Sequence, residues 1–161
     1  LGTCKKFSAN VKSLFPSEQE RATIHEEAVY FPRSRFKSKD EVLPLLAVRA
    51  PKFYAVIMKR LALIDKYLVR IDPAARAFVQ KAGDIILEEI VRYSNTENST
   101  VNFADMVLAL NKITTKYQTL PQMSKKSLER TFCVNTSFRI LNDQHKLQKL
   151  LAKLSNIGSV G

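Results

Sequence analysis

Residues 51–70 read PKFYAVIMKRLALIDKYLVR, and after Ile71 residues 72–93 read DPAARAFVQKAGDIILEEIVRY. In the first run Phe53, Val56, Ile57, Leu61, Ile64 and Leu68 recur at spacings of three and four, which sets them on one face of a helix. Tyr54, Met58, Ala62 and Leu63 carry the apolar surface further round the cylinder, so this helix must be touched from several sides. Pro51 pushes Ala50 out of the α region and itself suits the first helical position, so the helix starts there and runs to Arg70. In the second run Asp72 is an N-cap followed by Pro73 at the first helical position. Phe78, Val79, Ala82, Ile85, Ile86, Ile90 and Tyr93 form its inward face, with Arg76, Gln80, Asp84, Glu88 and Arg92 opposite. Two long amphipathic helices joined by a tight turn predict an all-α chain.

The flanking sequence extends that pattern, and no window sustains the alternation of a strand between turn signals. Upstream, Ser17-Glu18-Gln19-Glu20 has the form of a capping box and predicts a helix through Ile24, Ala28 and Val29 to Phe31. Ser38-Lys39-Asp40-Glu41 is a second box, with Pro44 dividing the short helix behind it into two pieces. Downstream, Ser94 to Thr100 is a polar loop, and Phe103, Met106, Val107, Leu110, Ile113 and Tyr117 mark a further helix closed by Leu120-Pro121. Ser124 reads as the cap of a short helix to Phe132. A turn around Phe138 to Leu141 and a helix capped by Asn142-Asp143, with Leu147, Leu150, Leu151 and Leu154 inward, complete the chain. The prediction is a single compact domain over residues 1–161, with roughly eight to ten helices of unequal length, too irregular for a simple four-helix bundle.

With 45% hydrophobic and 25% charged residues, the chain is neither disordered nor fibrous. No apolar run approaches the ~20 residues needed to span a bilayer, which predicts a soluble protein. Lys and Arg number 26 against 15 acids, for a net charge of +11, and the excess is densest after Met106. Lys112, Lys116, Lys125, Lys126, Arg130, Arg139, Lys146, Lys149 and Lys153 follow the wet-face spacing of amphipathic helices. No helix-turn-helix or aromatic RNA-binding motif accompanies them, so no nucleic acid is expected as a partner. Catalytic chemistry finds no foothold either. His25-Glu26-Glu27 lacks the second histidine of a zinc-protease helix and His145 stands alone, so neither metal nor cofactor is expected and the chain reads as a non-enzyme. Cys4 and Cys133 could join in one bridge, while Cys133, between Phe132 and Val134, reads by itself as a small buried apolar residue.

The run Phe36-Lys37-Ser38-Lys39-Asp40-Glu41-Val42-Leu43, followed by Ala50-Pro51-Lys52-Phe53-Tyr54, resembles in order and spacing a block of the nematode fatty-acid- and retinol-binding protein family. Ile64-Asp65-Lys66 with Ile71-Asp72-Pro73-Ala74-Ala75-Arg76-Ala77-Phe78-Val79 is similar to a second block. Tyr117-Gln118-Thr119-Leu120-Pro121 with Leu128, Phe132, Ser137 and Phe138, then Leu147-Gln148-Lys149-Leu150, is similar to the family's last third. The resemblance covers about residues 14–154. It implies an irregular helical fold around an internal apolar cavity that carries long-chain fatty acids and retinol without catalysis, and it implies secretion. The two cysteines and the strongly basic charge depart from the usual pattern.

Under that resemblance Phe53, Ile57, Leu61 and Ile64 face Phe78, Ala82, Ile85 and Ile86 across the cavity, and Val107, Leu110 and Ile113 close another side. A carboxylate head group is expected near Arg60, Arg70 or Lys81, because an uncompensated buried charge is costly. Ser17, Ser38 and Ser94 each have an acid three positions on, at Glu20, Glu41 and Glu97, the spacing of a casein kinase 2 type site. For Ser17 and Ser38 the same spacing is equally a capping box. Asn98-Ser99-Thr100 and Asn135-Thr136-Ser137 are glycosylation sequons, meaningful in a secreted protein. Transient contact with anionic membranes would let such a carrier exchange its ligand. The rival reading is a basic helical protein with a solid core that binds nucleic acid or anionic membranes. Leu1 to Lys6 carry no apolar signal-peptide core, which leaves an intracellular location open.

Overall fold

The computed structural model describes residues 2–13, 17–28, 35–95 and 103–133, and among them every regular element is helical. In chain order these are α1 (Gly2–Ser13), α2 (Glu18–Ala28), a 3₁₀ turn (Lys39–Glu41), α3 (Val42–Arg49), α4 (Pro51–Leu68), α5 (Pro73–Ser94), α6 (Phe103–Gln118) and α7 (Gln122–Phe132). The all-α expectation holds, with seven α-helices among the described residues against the eight to ten expected of the whole chain. The turn near Phe138, the helix after Asn142 and both sequons lie outside the described residues. No helix among the described residues is long and apolar enough to cross a membrane.

Most helix starts follow the local signals. Asp72 caps α5 by accepting the Ala75 N–H at 3.3 Å, and Ser17 Oγ accepts the Glu20 N–H at 3.2 Å at the head of α2. The second capping box closes only in part. Ser38 makes no side-chain cap, whereas the Glu41 carboxylate accepts the Lys37 N–H at 2.9 Å. Pro44 falls in the first turn of α3, where a missing N–H costs nothing, so the chain divides before Val42 instead of at the proline.

Two expectations are corrected. α7 starts at Gln122 behind Pro121, and Ser124, read as its cap, is buried inside it and donates to Asp72 at 2.6 Å. The polar contact won because it satisfies a serine that α7 packs against α5. α1, which no sequence signal announced, is tied to the end of α7 by a Cys4–Cys133 disulfide with Cα atoms 5.4 Å apart. Cys133 is therefore a cross-link, not a buried apolar side chain. Phe7 of α1 stacks edge-on against Tyr67 at 5.3 Å and Phe132 at 4.9 Å, and Asn10 Nδ2 donates to Tyr67 Oη at 3.0 Å.

The core is split in two. Around the α4–α5 turn, Leu68, Ile71, Ala75, Phe78 and Leu128 are buried together, with Ile64, Ile113, Tyr117 and Phe132 packed against them. At the opposite ends of α4 and α5, Phe36, Val42, Leu46 and Ala50 form a second cluster, flanked by Phe53, Ile57, Leu87 and Ile90. α3 packs on both α4 and α5 at that end, α6 lies along α5, and α2 lies on α4.

Candidate functional site

The two longest helices among the described residues, α4 and α5, are braced at their ends. At the shared turn, Arg76 Nε and Nη2 donate to the carbonyls of Leu68 at 3.2 Å and Ile71 at 3.4 Å, setting a cation at the C-terminal end of α4 where the helix dipole favours it. Asp72 and Ser124 lock α7 to the same turn. The Ser124 hydroxyl holds the Asp72 carboxyl below the ordinary carboxylate range, against the opposing effect of burial. At the far end the Glu27 carboxylate of α2 accepts the N–H groups of Lys52 at 3.2 Å and Phe53 at 2.9 Å, capping α4 from another helix. The end of α5 is clamped as well: Ser94 Oγ accepts the Phe36 N–H at 3.2 Å and Asn95 Nδ2 donates to the Phe36 carbonyl at 2.9 Å. Lys39 pairs with Asp84 at 3.4 Å, and Arg92 bridges Glu89 and Asp105, joining α5 to the start of α6.

α4 and α5 share both clusters: Leu68 is buried with Ala75 and Phe78 at the turn, and Phe53 and Ile57 flank the far cluster with Leu87 and Ile90. Ile57 belongs to the far cluster and Ile64 to the turn cluster, so Leu61 falls at the seam of α4. Ala82 falls at the corresponding seam of α5, between Phe78 and Leu87. Leu61, Ala82, Val107 and Leu110 join neither cluster and are only half-buried. Of the other wall residues read from sequence, Phe78 and Ile85 are buried, Phe53, Ile57, Ile64 and Ile113 are half-buried, and Ile86 is exposed. The arrangement is a frame braced at both ends, with half-buried apolar side chains at its middle beside the buried Ile85.

The three candidate cations separate. Arg60 shares the α4 face of Ile57 and Ile64 and is half-buried, its Nε screened from solvent. Arg70 is exposed, with its guanidinium 5.2 Å from the Tyr67 ring centroid, and Lys81 is exposed on α5. The candidate serines separate too. Ser38 and Ser17 are exposed, whereas Ser94 is buried with its hydroxyl donating to the Val91 carbonyl at 2.7 Å, so a kinase would have to open the end of α5 to reach it. Glu97, its acidic partner in the sequence, lies outside the described residues.

Sequence reasoning missed Glu27, Arg76 and the structural role of Ser124, because all three act on other elements and leave no local motif. A family model described as nematode fatty acid retinoid binding protein (Gp-FAR-1) matches residues 8–154. No curated protein and no solved structure matches the chain. The match spans nearly all of the described helices, and the chain belongs to the nematode fatty acid retinoid binding protein family.

Proposed function

We propose that the chain is a non-enzymatic carrier that holds long-chain fatty acids, and retinol, by their apolar portions between the middles of α4 and α5 and releases them at membranes. The observation that supports this reading is that Leu61, Ala82, Val107 and Leu110 are half-buried and belong to neither buried cluster. A solid core would enclose such side chains. A tail of about 15 methylenes at ~0.8 kcal/mol each gives roughly 12 kcal/mol of gross burial, against the ~8 kcal/mol of micromolar binding, so ordering costs leave a useful margin. The half-burial of Arg60 supports it as the head-group cation ahead of the exposed Arg70 and Lys81. Retinol, being neutral, needs no such partner.

The Cys4–Cys133 disulfide supports secretion, since such bonds persist in oxidising compartments. Phosphorylation, if the chain meets a casein kinase 2 type enzyme, falls on Ser38 or Ser17 and not on the enclosed Ser94. The test is titration of delipidated protein with an environment-sensitive fluorescent fatty acid at low and high salt, followed by displacement with oleate and with retinol. A saturable blue-shifted signal that both ligands remove at either salt is the expected result. A signal abolished by salt would make the binding electrostatic and defeat the carrier reading.

A further inference from the structure

We propose that the corner where the α4–α5 and α6–α7 turns meet is a docking surface for anionic phospholipid bilayers. The bond from Ser124 to Asp72 joins residues 52 positions apart and brings the two turns together. Each turn offers one large apolar side chain to water: Val69 is 73% exposed and Met123 is 78% exposed. Val69 lies three residues from Asp72 and Met123 is next to Ser124, so even extended segments keep the pair within roughly 22 Å. Single exposed apolar residues are ordinary on a soluble surface, but two on turns joined by one hydrogen bond give this corner apolar contacts for a bilayer.

The segments that form this corner are rich in cations. Lys66 and Arg70 stand on the α4 side, and Lys116, Lys125, Lys126 and Arg130 on the α6–α7 side, against the acids Asp65, Asp72 and Glu129 of the same segments. Six cations against three acids leave these segments a net positive charge. Beside Met123 opens a groove of about 480 Å³ lined, among the described residues, by Tyr117, Gln122, Lys125, Lys126, Glu129 and Arg130. Lys125 sits over the Tyr117 ring at 5.8 Å from its centroid, which keeps a cation at the mouth.

A bilayer uses both halves of this surface: phosphate and carboxylate head groups meet the cations while Val69 and Met123 enter the acyl boundary. Each cation near an anionic surface strengthens binding about fivefold. Single-stranded nucleic acid would use the cations but leave the exposed aliphatic side chains idle, since it binds by stacking on aromatic platforms. The inference deepens the carrier reading by naming where the carrier meets a membrane, and it rests on that reading for its purpose, although docking itself needs no bound ligand.

The chain has no tryptophan, so Met123→Trp installs a single fluorescent reporter at an exposed position. Vesicles of phosphatidylcholine with one quarter phosphatidylserine should blue-shift its emission and expose it to quenching by acyl-brominated lipid, while pure phosphatidylcholine should not. Sedimentation of the unaltered chain with the same vesicles checks that the indole did not create the affinity. Lys125→Glu with Lys126→Glu should weaken vesicle binding at least tenfold, and Lys37→Glu with Lys59→Glu, away from the corner, less than about twofold. No blue shift from a folded protein, equal loss from both pairs, or tight binding of an RNA oligomer without vesicle binding would each overturn the proposal. Fluorescent fatty-acid titration of the same variants separates the two readings. No vesicle binding by the unaltered chain with intact fatty-acid binding removes the docking surface alone, and vesicle binding without fatty-acid binding removes the carrier alone.

Discussion

Glu27 caps a helix to which it does not belong. Its carboxylate satisfies two N–H groups that Pro51 and the start of α4 leave orphaned, and it lies at the positive end of that helix dipole. Glu27→Ala is expected to cost about 1–2 kcal/mol in urea unfolding while leaving fatty-acid affinity unchanged. Capping boxes are legible in sequence because their partners sit three residues apart, as at Ser17; Glu27 and Phe53 are 26 residues apart, and no local rule connects them. Ser124 escaped for the same reason. By lowering the Asp72 value it adds stability that is full above about pH 4 and is lost as pH falls through the lowered folded value. The difference in unfolding free energy between the unaltered chain and Ser124→Ala should therefore be constant at neutral pH and shrink below about pH 4, as read by unfolding at several pH values. On the ligand side, Arg60→Gln should weaken oleate binding about tenfold, by loss of a charge-assisted bond, and leave retinol binding unchanged in displacement titrations.

Among the elements, α4, α5 and α6 were legible because long apolar stripes at helical spacing admit few other readings. α1 was not, since its hold on the fold comes from a bond and an aromatic cluster contributed by distant residues: Cys133, Tyr67 and Phe132. α7 ends with Cys133 in the left-handed conformation, φ 54°, its N–H bonded to the Glu129 carbonyl at 3.0 Å. The disulfide thus joins the first turns of α1 to a helix terminus 129 residues on. Cross-linking so long a loop restricts the unfolded chain, and Cys4→Ser with Cys133→Ser should lower stability by about 2–5 kcal/mol in denaturant titration. Helical circular dichroism should fall only slightly, because α4 to α7 keep their own packing around Leu128.

For the whole molecule, the apolar faces of α4 and α5 meet in two separate buried clusters, one at their shared turn and one at the far ends. Periodicity says that a face is covered, not by what, so the sequence could not tell whether Leu61 meets Ala82 or a third body. The structure braces both helices at each end, with Arg76, Asp72 and Ser124 at the turn and Glu27, Ser94 and Asn95 at the other. The resemblance carried the family and the ligand class, whereas the split core is a property of packing that only the assembled helices reveal. The most direct measurement is an isotope-filtered nuclear Overhauser experiment on the protein loaded with oleate, reading contacts from the acyl chain to assigned methyl groups. Cross-peaks to Ile57 and Leu61 of α4 and to Ala82 of α5 in the same complex are the predicted result. Contacts confined to exposed methyls such as Val48 and Leu108, or none at all, would contradict a ligand held between the two helices.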